Sequence, residues 1–294
     1  MRIIIVGPGR AGRSLAVAFA TAGHEIAGVV GKDDGQSRSA ASDLDTAAFA
    51  AGDRLPEADL IMICTRDAVI GDVAAALAPG AESVTAAVHV SGLTPVAALG
   101  PLRDAGLEIG SFHPLQTLPT VDTDPSRLAH VWVAVTATEP LRTTLHDLAR
   151  SMGDHPFDLD DAAKPVYHAA AAAAANFPLV ALAMAGDLFA AAGVPFAAAQ
   201  PLVAAVVANA FELGPRPALT GPVARGDTAT VLAQLDAVAL HEPRWLPDFR
   251  AAVMALARLT GREEQVEDAL AGWEAPTDAA RHVVSEANGA PWTS

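Results

Sequence analysis

The residue types best suited to chemistry fall in a few short stretches. His113 stands in Phe112-His113-Pro114-Leu115-Gln116-Thr117, and Lys164 and His168 stand in Lys164-Pro165-Val166-Tyr167-His168. Asn176 follows further along, and Arg225 lies in Thr220-Gly221-Pro222-Val223-Ala224-Arg225-Gly226-Asp227. Helix positions four and eight apart share a face to within tens of degrees. Pro165 is tolerated only in a first turn, so a helix is expected to start at Lys164. Lys164, His168 and Asn176 are then expected along one side of it, with small alanines between them. Reduction of a carbonyl needs a hydride on carbon and a proton on the developing alkoxide. A Lys or His can donate that proton, and an Asn can orient the oxygen. The alternative is that Asn176 makes an interhelical hydrogen bond and His168 is a buried neutral histidine.

His113, at a strand end before a proline, reads either as a catalytic histidine or as one hydrogen-bonded inside its loop. Arg225 suits a bidentate pair with a substrate carboxylate. A charge-assisted bond of that kind is worth about 1.5–3 kcal/mol, enough to set a substrate class. A protein carboxylate is the competing partner. Asp227 is a natural N-cap for a helix from Thr228.

These side chains need a frame. Strand-like runs are read at Arg2–Val6, Glu25–Val30, Asp59–Thr65, Ser83–Val90, Leu107–Phe112, Val131–Thr136 and His155–Leu159. Helical spacing between them, as at Gly12–Ala22, Asp67–Leu77 and Pro140–Met152, predicts an α/β, doubly wound, parallel Rossmann-type sheet. From about Asp160 the strand signals vanish. Helices are expected at Asp161–Ala192, Pro195–Glu212, Thr228–Leu240, Pro243–Thr260 and Glu263–Trp273, with a loose terminal helix after Pro276. The division expected is a dinucleotide-binding domain over 1–157 and an all-helical substrate and dimerisation domain over 158–294.

The dinucleotide reading rests on Gly7-Pro8-Gly9-Arg10-Ala11-Gly12, between the first strand and the first helix. Gly7 permits the tight turn, Gly9 admits the pyrophosphate, and Gly12 lets the helix pack on the sheet. The helix N-terminus offers N–H groups to the phosphates, with Arg10 and Arg13 nearby. At the tip of the second strand, Gly31-Lys32 stands where an NAD site usually carries an acid. Lys32 suits a 2′-phosphate, with Ser37 and Arg38 close in sequence, so NADPH is favoured over NADH. If the strand ended later, Asp33 would be the ribose partner and the preference would reverse. Thr65 and Asp67 leave the third strand where the chain passes the nicotinamide ribose, although Asp67 also reads as a helix N-cap. Ser91, in His89-Val90-Ser91-Gly92, is expected either to touch nicotinamide or substrate, or only to shape its turn.

Composition narrows the classes. Of 294 residues, 51% are hydrophobic, which is material for a substantial core. The net charge of −15 argues against a nucleic-acid partner. A single cysteine, Cys64, excludes an intrachain disulfide framework and reads as a small buried hydrophobe. No metal site with ligand spacing is expected. No signal peptide and no membrane-spanning helix are read, so the expected location is cytoplasmic.

Taken together, Gly7–Gly12, His89–Gly92, Phe112–Thr117, Tyr167-His168 with Asn176, and Thr220–Asp227 resemble bacterial Rossmann-like proteins with a helical C-terminal domain of unknown function. That family resembles the 6-phosphogluconate-dehydrogenase-like group, beside ketopantoate reductase and pyrroline-5-carboxylate reductase. The resemblance implies an NADPH-dependent oxidoreductase, a homodimer formed through the helical domain, and a small organic-acid substrate. Its specific implication is ketopantoate reduction in pantothenate biosynthesis. The alternatives are an imine reductase of the pyrroline-5-carboxylate type and a non-catalytic NADP-binding sensor. Ala172 stands where the known ketopantoate reductases carry an asparagine, so the resemblance leaves the proton donor open between Lys164 and His168.

Overall fold

The computed structural model describes residues 1–120 and 124–276. The terminal helix expected after Pro276 lies outside the described residues. Short apolar runs form the strands β1 (Arg2–Val6), β2 (Glu25–Val30), β3 (Ala48–Phe49), β4 (Ala58–Ile63), β5 (Val84–His89), β6 (Glu108–Pro114), β7 (Trp132–Ala137) and β8 (His155–Asp158). The helices are α1 (Arg10–Thr21), α2 (Asp34–Asp43), α3 (Ile70–Leu77), α4 (Gly100–Asp104), α5 (Leu141–Ser151), α6 (Lys164–Ala175), α7 (Phe177–Ala191), α8 (Ala199–Leu213), α9 (Pro215–Ala218), α10 (Pro222–Arg225), α11 (Thr228–His241), α12 (Leu246–Thr260) and α13 (Glu263–Ala271).

The chain separates into two compact units, Met1–Ala175 and Asn176–Ser294. The first holds one eight-stranded sheet in the order β3-β2-β1-β4-β5-β6-β7-β8. Pairings from β3 to β6 are parallel, as expected of a doubly wound sheet. β7 runs antiparallel to β6, and β8 follows β7 in parallel. The N-termini of β7 and β8 therefore lie at the edge where the parallel strands end. Side chains alternate between two faces along each strand. One face packs Ile3, Ile5, Leu60, Met62, Phe112 and Val133 under α1 and α5. The other packs Ile4, Val6, Ile61, Ile63 and Leu107 under α3 and α4.

The second unit is helical. Val223, Val231, Leu235, Val253, Ala257, Val266 and Leu270 form its core from α10 to α13. Asp227 caps α11, its carboxylate accepting from the Thr230 N–H.

Two expectations need correction. The helix expected over Asp161–Ala192 comes as a 3₁₀ turn at Asp161–Ala163, then α6, then α7. The interruption falls at Asn176, two residues before Pro178, whose missing N–H removes a helical donor. Asn176 thus ends outside the helix that carries Lys164 and His168. The second concerns membrane spans. Helical stretches at 161–191 and 196–213 are long and apolar enough to cross a membrane by length and composition. The polar residues within them are too few to lower that match. The exposed large apolar side chains there include Phe177, Leu179, Leu202, Val206 and Phe211.

Candidate functional site

The cradle for a dinucleotide is built by the β1–α1 turn. Gly7 has φ +86° and faces Thr65, so a side chain there would be strained. A Cβ on Gly12 would fall against the Gly7 carbonyl oxygen, so that position must stay bare for α1 to dock. Gly9 differs: a Cβ there would meet nothing within 4 Å. The space before Gly9 is open, and no side chain caps α1. The first-turn N–H groups, Ala11 and Gly12 among them, are thus left for an anionic guest. The buried Thr65 hydroxyl beside Gly7 has no protein partner. These features fit a dinucleotide pyrophosphate. The two arginines near the turn are engaged elsewhere. Arg10 donates to the Pro119 carbonyl at 3.0 Å, and Arg13 pairs with Asp43.

At the tip of β2, Asp33 is consumed as the N-cap of α2, accepting from the Gln36 N–H at 2.9 Å. Ser37 donates its hydroxyl to the Asp33 carbonyl and packs where a Cβ on Gly31 would lie. Lys32 is exposed beside them. One oxygen of the Asp33 carboxylate is therefore committed to the helix cap, and the exposed Lys32 stands next to it.

The loops after β4 and β5 are knotted together. Ser91 donates its hydroxyl to the Asp67 carboxylate at 2.7 Å and accepts from the N–H groups of Leu93 and Thr94. Ser91 thus holds its turn. Asp67 is not a helix cap: the 3₁₀ turn it begins is preceded by Arg66. His89 is buried, accepts from the Ser91 N–H through Nδ1, and is held by burial down to about 4. Cys64 is also enclosed, with burial pushing its thiol up to about 12.

The end of β6 places His113 against α6. His113 Nδ1 lies 2.8 Å from the Tyr167 hydroxyl, and the rings meet edge to face at 5.5 Å. Gly92 makes room for the imidazole, since a Cβ there would stand 2.8 Å from His113 Cε1. Burial, helped by the neighbouring charge of His168, lowers His113 to about 4. Burial also pushes the Tyr167 phenol up to about 12. Both groups therefore stay neutral near neutral pH, joined by one hydrogen bond. Tyr167 is the residue that reasoning from spacing left without a role. It stands beside His168 in sequence, but only the packing of α6 against β6 brings it to His113.

Lys164 is 1% exposed. Its ammonium lies 2.8 Å from Asp161 Oδ1 and donates to the Thr94 carbonyl at 2.9 Å. Asp161 also accepts from the Val96 N–H. The pair ties the start of α6 to the loop after β5, and burial lowers the Lys164 pKa against the opposing pull of Asp161. His168 is exposed. In the second unit, Asn176 precedes α7 without capping it, and Arg225 ends α10 beside Asp227. Among the described residues no cluster of three His, Cys, Asp or Glu side chains is placed to hold a metal.

Residues 1–114 match a Rossmann-like domain model, and residues 131–259 match a domain of unknown function, DUF2520. Comparison with curated proteins returns no match. Among solved structures, protein BF3122 from Bacteroides fragilis superposes with a TM-score of 0.74 at 20% identity, covering 87% of this chain and 98% of that one. Protein TM1727 from Thermotoga maritima gives 0.68 at 20% identity, over 89% and 99%. The imine reductase from Myxococcus stipitatus in complex with NADP+ gives 0.60 at 16% identity, over 92% and 95%. The chain thus shares the fold of these structures, with its first part similar to the Rossmann-like model and its later part to the DUF2520 model.

Proposed function

We propose that this protein is an NADPH-dependent oxidoreductase that reduces a small substrate with a polarised C=N or C=O bond. The observation that carries the reading is the hydrogen-bonded His113–Tyr167 pair, set at the carboxyl edge of a sheet whose first turn is a bare glycine cradle. Ligands of open α/β sheets lie beyond that edge. Support for the phosphorylated cofactor comes from exposed Lys32, from Asp33 spent on capping α2, and from the NADP+ held by the similar imine reductase. Bound nicotinamide dinucleotide supplies the hydride. Tyr167 donates its hydroxyl hydrogen to the substrate heteroatom, and His113 Nδ1 orients that hydroxyl and relays a proton to it.

Electrostatics favour an imine over a 2-oxo acid at this pair. His113 is held neutral, the Lys164 ammonium is matched by Asp161, and the charges of His168 and Asp67 act on His113 in opposite senses. A neutral imine needs only the proton that Tyr167 donates, whereas a carboxylate needs a cation. Ketopantoate remains the oxo-acid candidate, with exposed His168 as the cation it would need. The test follows NADPH consumption with pyrroline-5-carboxylate, unsubstituted pyrroline and ketopantoate, with NADH in parallel. Turnover of imines with NADPH is expected. Cofactor binding without turnover of any of them would move the reading to a sensor.

The exposed apolar surfaces of α7 and α8 support a homodimer. Light scattering on the purified protein should return twice the chain mass. Recovery only with detergent-extracted membranes would overturn both the dimer and the cytoplasmic location we propose.

A further inference from the structure

The sheet face that carries His113 also carries a row of aromatic side chains with no part in the pair just described. His113 faces Ala134 across the β6–β7 ladder, Ala134 faces Phe157, and Trp132 faces His155. Side chains two apart on a strand share a face, so His113, Trp132, His155 and Phe157 all project the same way. The rings touch in sequence. Tyr167 meets Phe157 at 6.0 Å, Phe157 meets Trp132 at 6.1 Å, and Trp132 meets His155 at 5.3 Å. His113 and Trp132 are diagonal neighbours on adjacent antiparallel strands, a relation that spans roughly 7–8 Å. Ala134 between them is small and covered.

The row is buried at one end and open at the other. Trp132 is 56% exposed, although its ring meets both Phe157 and His155 of β8. An indole held in place by two rings, with its remaining surface open and continuous with a proton-donating pair, is a preformed stacking wall. Its guest must be flat and apolar, because ring contacts reward offset or edge-on aromatic partners.

We propose that Trp132 and the rings behind it form a subsite for a planar, apolar substituent of the substrate, so that the substrate is a ring-bearing imine or ketone rather than a bare aliphatic acid. The inference rests on the reductase reading and names the substrate class of that site. With its double bond at the Tyr167 hydroxyl, such a substrate directs its substituent along the Phe157 ring towards Trp132.

The experiment compares pyrroline with phenyl-substituted pyrroline as NADPH-dependent substrates of the wild type, Trp132→Phe and Trp132→Ala. A stacking contact is worth about tenfold in kcat/KM, so the wild type should prefer the phenyl compound by about that factor. Trp132→Ala should lose the preference through KM, with kcat on unsubstituted pyrroline unchanged, and Trp132→Phe should keep part of it. Because the indole is largely exposed, both variants should unfold at the wild-type temperature. An unchanged preference in Trp132→Ala overturns the subsite, as does loss of self-association in that variant with kinetics unaltered. A second readout needs no turnover: phenylpyrrolidine, with NADP+ present, should quench the part of the tryptophan fluorescence that Trp132→Phe removes. Quenching without turnover of either imine keeps the subsite and overturns the reductase reading. Turnover without quenching or preference does the reverse.

Discussion

His113 Nδ1 and the Tyr167 hydroxyl lie 2.8 Å apart across 54 positions of sequence. Burial keeps both neutral, one near 4 and the other near 12. Tyr167→Phe removes the donor while keeping the ring contacts to His113 and Phe157. We expect kcat to fall on the order of 10²-fold, the lower range for a positioned acid, with NADPH affinity unchanged. Steady-state kinetics with fluorescence titration of the cofactor checks this. A wild-type kcat in Tyr167→Phe would remove the hydroxyl from the chemistry. From neutral pH downwards the wild-type rate should show no step from His113 until pH about 4, because burial keeps the imidazole neutral above it.

Much of the frame around that pair was legible, and particular residues show why. Ile3-Ile4-Ile5-Val6 and Leu60-Ile61-Met62-Ile63 are buried on both faces, so they read as parallel strands without needing alternation. Asp34–Asp43 escaped notice because α2 is polar and stands on its Asp33 cap rather than on an apolar stripe. The reversal of β7 was invisible because Trp132–Ala137 looks the same in either direction. In the site, the glycines announced themselves through local constraints. The spending of Ser91 on Asp67, of Lys164 on Asp161 and of Arg10 on Pro119 did not, because each partner is fixed only by the fold. Pro178 did carry a local signal for the break at Asn176, which the run of alanines masked.

The Lys164–Asp161 pair behaves as a clamp in this geometry, and a double substitution tests that. Asp161→Ala leaves a buried ammonium with only the Thr94 carbonyl, and, because Asp161 is itself 39% exposed, should cost about 1–2 kcal/mol, less than breaking a fully buried pair. Lys164→Met fills the same space with no charge and should cost less. Combining Lys164→Met with Asp161→Asn should recover much of the loss, because replacing both members of a buried pair is often near neutral. Denaturant unfolding measures all three. Additive losses in the double variant would show that the two side chains act independently. Were Lys164 the proton donor, Lys164→Met would abolish kcat while Tyr167→Phe would spare it.

Gly9 and Gly12 predict opposite phenotypes for the same substitution. Gly9→Ala places its methyl in open space, so the free protein should unfold at the wild-type temperature. That space is where the pyrophosphate would approach, so NADPH affinity should fall at least tenfold. Gly12→Ala drives its methyl onto the Gly7 carbonyl and should destabilise the free protein before any cofactor is added. Thermal scans with and without NADPH separate the two. Full NADPH stabilisation of Gly9→Ala would mean that the cradle is structural only.

Asp154 sets a pH dependence of stability away from the site. Its Oδ1 accepts from the Val131 N–H at 3.0 Å, while its Oδ2 is buried without a partner. Burial pushes the carboxyl up to about 6, against the pull of that hydrogen bond and of His130 and His155. The folded state therefore holds a proton that the unfolded chain, with an ordinary carboxylate, releases near pH about 4. The sign follows: this stabilising contribution is complete below pH about 4 and is lost as pH rises through about 6. Asp154→Asn keeps an acceptor for Val131 and cannot ionise, and an unpaired amide costs less in that position than an unpaired charge. Melting temperatures from pH about 4.5 to about 7.5 should then run flatter than wild type. The variant should be the more stable protein at the upper end and nearly equal at the lower. Parallel curves for the two proteins would show that Asp154 ionises in the folded state as it does in the unfolded one.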